Sequence, residues 1–318
     1  MNAADDGAGA VGRALRPDEI RQMWQTRPEN DVELSGTGAT RLAARSFTEH
    51  RLALAGLVII VLMLLFCFVG PLIYHTNQLI TNLNNPITQP PGHGHLLGTD
   101  PNGFDELGRL MFGGQSSLEV GITAAIVATA IGVIVGSVAG FFGGVVDAVL
   151  MRVVDTLLAI PLLLLLIVLS VQFNPGKYAM ILVIGCVAWL VPARLVRGET
   201  LTLRTREYVQ AVRVMGGGSR KIILRHIIPN AIGTIAVNAT FQVADAILLL
   251  AALGYLGVGI QPPQTDWGSM LSVGASYVEA GAWWLIWPPA VCIVIVVVAF
   301  NFVGDGLRDA LEVRLQRR

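Results

Sequence analysis

Residues 207–232 read EYVQAVRVMGGGSRKIILRHIIPNAI, a basic amphipathic stretch set between two long apolar runs. About thirty-five residues separate those runs, whereas packed helices are usually joined by roughly two to eight, so the segment builds more than a connection. Tyr208, Ala211, Val212 and Met215 recur at helical spacing, while Glu207, Gln210 and Arg213 face elsewhere. Gly216, Gly217 and Gly218 then end that helix, because glycine takes left-handed backbone angles without steric cost. Ser219 is the expected N-cap of a second short helix carrying Ile222, Ile223 and Ile227, and Pro229 interrupts regular hydrogen bonding before the next apolar run. The pattern predicts a compact amphipathic knob. A helix lying flat on anionic lipid has the same basic and apolar signature, so on the residues alone both readings stay open.

The surroundings of this stretch are membrane-like. Of 318 residues, 53% are hydrophobic and only 14% charged, with mean hydropathy +0.63, against about 25% charged in a soluble domain. A helix needs about 20 apolar residues to cross a bilayer, because every backbone N–H and C=O must be satisfied within the segment. Six stretches qualify: Leu52–Ile73, Val120–Phe141, Ala148–Val171, Tyr178–Val196, Ile232–Gly259 and Trp284–Val303. The chain therefore divides into an arm (1–50), a first span (51–73), an outer loop (74–117), a core of five spans (118–304) containing the knob (197–231), and a tail (305–318). The first apolar run lies too far from the N-terminus for a cleaved leader and is expected to remain as an anchor.

Arginine and lysine assign the sides, since short loops rich in them stay in the cytoplasm. Arg13, Arg16, Arg21, Arg27, Arg41, Arg45 and Arg51 precede the first span; eight basic residues from Arg194 to Arg225 follow the fourth; Arg308, Arg314, Arg317 and Arg318 follow the sixth. Alternate loops hold only Arg109 and Lys177. Both termini and the knob are thus expected in the cytoplasm. The net charge of zero carries no argument for nucleic acid.

Within the spans, Ala124, Ala128, Gly132, Gly136 and Gly140 form one stripe of small residues, which predicts close helix packing. Asp245 lies inside the fifth span, where an ionised carboxylate costs about 2.5–3.5 kcal/mol, so it is expected to face protein or water. With Gln242 and Asn238 it makes a polar stripe suited to line a pathway. Arg152 and Asp155 are spaced to pair, and Pro161 to kink the third span. Trp283, Trp284 and Trp287 fit an interfacial belt. Arg16–Trp24 (RPDEIRQMW) fits a short helix in an otherwise loose arm. Cys67, Cys186 and Cys292 sit in apolar runs as small hydrophobes. His93 and His95 lack the further ligands of a defined metal site, so no metal is expected. The GGGSRKII segment has the wrong spacing for a phosphate-cradling loop, and no nucleophile and base stand together. Neither ATP hydrolysis nor other catalysis is expected of this chain, and no cofactor.

Gln210-Ala211-Val212, then Gly216, then Ile228-Pro229 resembles the EAA motif in permease subunits of binding-protein-dependent ABC importers. Four further blocks resemble the dipeptide, oligopeptide and nickel branch: LLGTDPNGFDELGRLMFGGQSSLEVG (96–121), LMRVVDTLLAIPLLLL (150–165), LGYLGVGIQPP (253–263) and AFNFVGDGLRDALEVRL (299–315). Gln210 stands in place of Glu and His226 in place of Ile; Phe104 and Gln115 stand where relatives often carry Arg, Leu250 where they carry Glu, and Val313 where they carry Pro. The resemblance implies an all-α, six-helix permease of the type I importer fold in a bacterial inner membrane. It implies four partners: a second permease, two cytoplasmic ATP-binding subunits and an extracytoplasmic binding protein. It also implies a coupling helix around Glu207, Tyr208, Gln210, Ala211, Val212, Arg213, Met215 and Gly216, with Ser219 and Pro229 completing the segment. Peptides are the cargo it favours. Nickel or another small solute, an ion-coupled secondary transporter, and a noncatalytic scaffold remain as other readings.

Overall fold

A computed structural model describes residues 47–80, 87–92, 94–173 and 176–316, with side chains to Leu311. Most of the arm over 1–50, including 16–24, falls outside the described residues, as do His93 and the Val313 side chain. Among the described residues the chain is helical, with isolated bridges Gly92–His95 and Thr99–Asp105.

Helix α1 (Arg51–Leu64) continues through a π turn at Leu65–Val69 into the short α2 (Gly70–Ile73). Pro71 explains the turn: it has no N–H to give, so the helix register slips before it. The Cys67 carbonyl, four residues back, accepts instead from Gln115 Nε2 at 2.8 Å.

The central post is α3 (Glu106–Phe142). Its 37 residues span about 55 Å, well beyond the roughly 30 Å of bilayer hydrocarbon, so a part projects past it. Residues 106–117, expected as outer loop, are therefore helix. Asp105 caps it, Oδ1 accepting from Gly108 N at 2.8 Å. The small-residue stripe of α3 lies on α7: a Cβ at Gly140 would stand 2.8 Å from Arg197 O, and one at Gly132 3.0 Å from Ala193 N.

The third and fourth spans are each broken. Helices α4 (Gly144–Leu158) and α5 (Leu162–Phe173) meet at 84°, and α6 (Lys177–Ala188) and α7 (Leu190–Leu203) at 43°. Prolines cause both breaks. Pro161 disfavours helical angles at Ile160, and the Pro192 ring meets the carbonyl of Ala188. The expected kink at Pro161 is thus a full break. Counting each bent pair as one span, six segments among the described residues are long and apolar enough to cross a bilayer.

Short helices α8 (Glu207–Val214) and α9 (Ser219–Ile222) follow, then a π turn at Ile223–Ile227 and α10 (Ile228–Tyr255). Helix α11 (Trp267–Ala275), a 3-10 turn (Trp283–Leu285) and α12 (Trp287–Gln316) complete the chain, so the expected tail from 305 prolongs the last helix. Helices α7, α10 and α6 pack around α3, α12 lies on α10, and α1 lies on α12. Leu57, Val58, Val61 and Leu62 of α1 are exposed, as a lipid-facing surface requires. Cys67 and Cys292 are buried, whereas Cys186 is exposed.

Candidate functional site

The knob between α7 and α10 is fastened at its base and open at its tip. Arg204 Nη1 donates to Gly140 O at 2.8 Å, joining the end of α7 to the end of α3, and Gln210 Nε2 donates to Arg204 O at 2.9 Å. Val209, Ile222, Ile223 and Ile227 close over Phe141 as an apolar cluster, with Val212 packed against it. The Arg213 guanidinium stands 5.3 Å from the Phe141 ring centroid.

Val209 and Val212, three residues apart, are the anchoring face of α8. The spacing expectation for this helix needs correction: Tyr208, Ala211 and Met215, grouped with Val212 by period, turn outward. Glu207, Gln210 and Arg213 are exposed too. Val214 is 87% exposed and Met215 77%, which leaves an apolar tip uncovered beyond the buried Val209, Ile222 and Ile227.

The turn after α8 has a physical reason for its glycine. Gly217 N donates to Val212 O and Gly216 N to Arg213 O, the paired bonds of a Schellman ending, and Gly216 takes φ +81°. A Cβ at Gly216 would meet nothing within 4 Å, so backbone angle alone selects glycine there. Gly218, not Ser219, precedes the next helix as its N-cap; Ser219 is its first residue, and no side-chain cap bond forms. Pro229 sits in the first turn of α10 without stopping the helix, because the preceding π turn lets Ile228 N donate to Ile223 O. Asn230 Nδ2 donates to His226 O at 2.5 Å.

The second candidate region is the polar stripe of α10. Asn238, Gln242 and Asp245 share one face and line a cavity of about 400 Å³. Leu158 and Leu162, on either side of the α4–α5 break, and Ala188 and Leu190, on either side of the α6–α7 break, line it too. Gln242 Nε2 lies 3.4 Å from Ala188 O, the carbonyl that Pro192 cannot serve. Leu250 is fully buried, whereas Asp245 is exposed and lines the cavity, so the two positions of α10 have different surroundings.

Residues 132–317 match the family model described as binding-protein-dependent transport system inner membrane component, and residues 38–91 match the N-terminal TM domain of oligopeptide transport permease C. The chain is 39% identical over 283 residues to the oligopeptide transport system permease protein OppC of Haemophilus influenzae, covering 89% of this chain and 91% of that one. The OppC of Bacillus subtilis is 40% identical over 271 residues, 85% and 88% of the two chains. The dipeptide transport system permease protein DppC of Bacillus subtilis is 36% identical over 303 residues, 95% and 94% of the two. The chain belongs to the binding-protein-dependent transport permease family.

This permease is a multi-pass inner-membrane protein of the type I fold. Its end opposite the knob is clasped by buried polar contacts. Asp105 Oδ2 accepts from Tyr74 Oη at 2.9 Å and lies 2.8 Å from His95 Nδ1. Burial and the Asp105 bond push the Tyr74 hydroxyl up to about 12. Arg109 Nη1 donates to Gln78 O and Pro263 O, both at 3.1 Å, with its guanidinium 4.5 Å from the Phe104 ring centroid. Asp266, fully buried, accepts from Ser269 N, Ser269 Oγ and Ile260 N; burial raises its carboxyl above the ordinary range against those bonds. Phe104 and Gln115, which depart from the family pattern, thus each have a partner.

Two sequence expectations change here. Trp284 does not join an interfacial belt; it is 7% exposed and its Nε1 donates to Thr99 O at 3.3 Å, while Trp283 and Trp287 are exposed. Asp155 pairs with Arg194 of α7 at 2.5 Å rather than with Arg152. At the other end Asp309 pairs with His50 at 3.3 Å.

Proposed function

We propose that this permease forms one half of a peptide-conducting pore with a second permease, and that its knob couples the pore to two ATP-binding subunits. The knob, both chain ends and the basic clusters lie in the cytoplasm by the charge rule; the Tyr74–Asp105 loop faces the binding protein outside. The polar stripe of α10 lines the pathway. Peptide cargo follows from the oligopeptide and dipeptide names of the relatives.

The observation that carries the reading is the knob's uncovered apolar tip on a fastened base. Val214 and Met215 offer a partner apolar area, and Val209, Arg204 and the Schellman turn transmit its displacement to α3 and α7 rather than letting the tip swing. An ATPase pair that closes on ATP binds two pore states unequally, and only that difference moves the equilibrium between them. This chain contributes shape and linkage; its partners supply the hydrolysis.

Gly216 tests the reading. Replacement by Val forces a β-branched residue to φ +81°, at about 1–2 kcal/mol, whereas Asn tolerates such angles. Peptide uptake by the assembled transporter is expected to fall at least about tenfold for Gly216→Val and to stay near wild type for Gly216→Asn, with the Val variant losing co-purified ATPase. Normal uptake and normal ATPase retention in the Val variant would remove the knob from the mechanism.

A further inference from the structure

We propose that Asp245 receives the free ammonium group of a cargo peptide, while Asn238 receives a main-chain N–H of the same molecule further along α10. The inference rests on the transporter reading above and names what the pathway recognises.

Asp245 is ten residues from the Tyr255 end of α10, about 15 Å, and half the bilayer hydrocarbon is also about 15 Å. The carboxylate therefore sits near mid-membrane. No lysine, arginine or histidine lines its cavity, and among the described residues it has neither a hydrogen-bond nor an ionic partner. A carboxylate at that depth calls for an opposite charge or water. The cavity of about 400 Å³ is within the size range of small-molecule sites, and it opens where two proline-broken spans meet the polar face of α10.

The hydrogen-bonding inventory of that face is one-sided. Gln242 commits its Nε2 toward Ala188 O. Asn238 Oδ1 is buried without a partner. The stripe thus presents acceptors in need of donors, with the charged acceptor at one end. Asp245 and Asn238 are seven residues apart, about 10 Å along the axis, and three extended peptide residues span about the same length. A ligand that brings an ammonium at one end and amide N–H groups along an extended backbone meets both requirements. A bare metal ion would not: no cluster of three ligating side chains exists among the described residues.

The test uses the complete transporter in liposomes with its binding protein, supplied with trialanine or N-acetyl-trialanine. Each variant's uptake rate is divided by the wild-type rate for the same peptide, so the binding protein's own preference cancels. Asp245→Asn is expected to reduce the trialanine ratio about tenfold and the acetylated ratio less than about twofold, since a charge-assisted contact is lost only where the ammonium exists. Asp245→Glu restores most of the trialanine ratio. Equal loss for both peptides overturns the assignment while leaving peptide transport intact. An Asn variant that no longer co-purifies with the second permease makes Asp245 an inter-subunit contact and overturns it as well. Wild-type transporter that carries neither peptide removes the cargo reading itself, and this inference with it.

Discussion

The two ends of the bundle are secured by opposite means. At the loop end, charged and polar side chains are buried and tied to backbone or to one another: Arg109 to two carbonyls, Asp105 to the Tyr74 hydroxyl and Gly108 N, Trp284 to Thr99 O, Trp267 to Leu110 O. At the knob end, a small apolar cluster and one arginine hold the base, and the remaining apolar side chains stay uncovered. Buried hydrogen bonds are directional and fix one arrangement, while an uncovered apolar tip is satisfied only when something packs on it. The loop end is thus held by contacts within this chain, and the proposed coupling role assigns the uncovered knob to a partner.

The contrast breaks hardest at Trp267. This side chain is fully buried, its Nε1 donates to Leu110 O at 3.0 Å, and Gly114 of α3 lies flat against its ring. Trp267→Ala is expected to cost about 3–5 kcal/mol, seen as a lowered midpoint in denaturant titration of the detergent-purified protein. A shift below about 1 kcal/mol would mean the loop end is not held through this residue.

Tyr74 sharpens the same point with a smaller effect. Its hydroxyl is held near 12 in the folded chain against about 10 in the unfolded one. A raised folded value contributes stability fully present below the unfolded value and lost as pH rises through the folded one, so the loss falls between about pH 10 and 12. Tyr74→Phe is expected to cost about 0.5–1.5 kcal/mol near neutral pH and to lose less stability than wild type across that alkaline window. Parallel pH curves for the two proteins would contradict the assigned bond.

Much of this was legible in the sequence. The six apolar runs, the small-residue stripe and the knob follow from composition and period, because lipid and close helix packing each impose one chemistry on a whole face. Features set by contacts between distant residues were not. Residues 106–117 read as loop because Gly108, Gly113 and Gly114 weaken helix propensity, yet those glycines let Gln78, Met270 and Trp267 pack closely against the helix. For Asp155, helical spacing offers only Arg152 as a basic partner; Arg194 reaches it from another helix. Val209 does not stand out by period, because a helical period allows more than one face and only the position of Phe141 selects the buried one.

A recurrent device was also out of reach of pattern reading. Pro71 and Pro192 each leave a carbonyl four residues back without its N–H donor, and in each case a glutamine from another helix donates to it, Gln115 to Cys67 and Gln242 to Ala188. Proline breaks are thereby kept inside the membrane without orphaned acceptors.

The most direct measurement places a photo-crosslinking side chain at Met215 in the complete transporter, isolates the products and compares nucleotide-free with ATP-bound complexes. Covalent adducts with an ATP-binding subunit, changing in yield between the two states, are the predicted result. Adducts confined to lipid, with both ATPases still bound, would make the knob a membrane-surface helix and contradict the account.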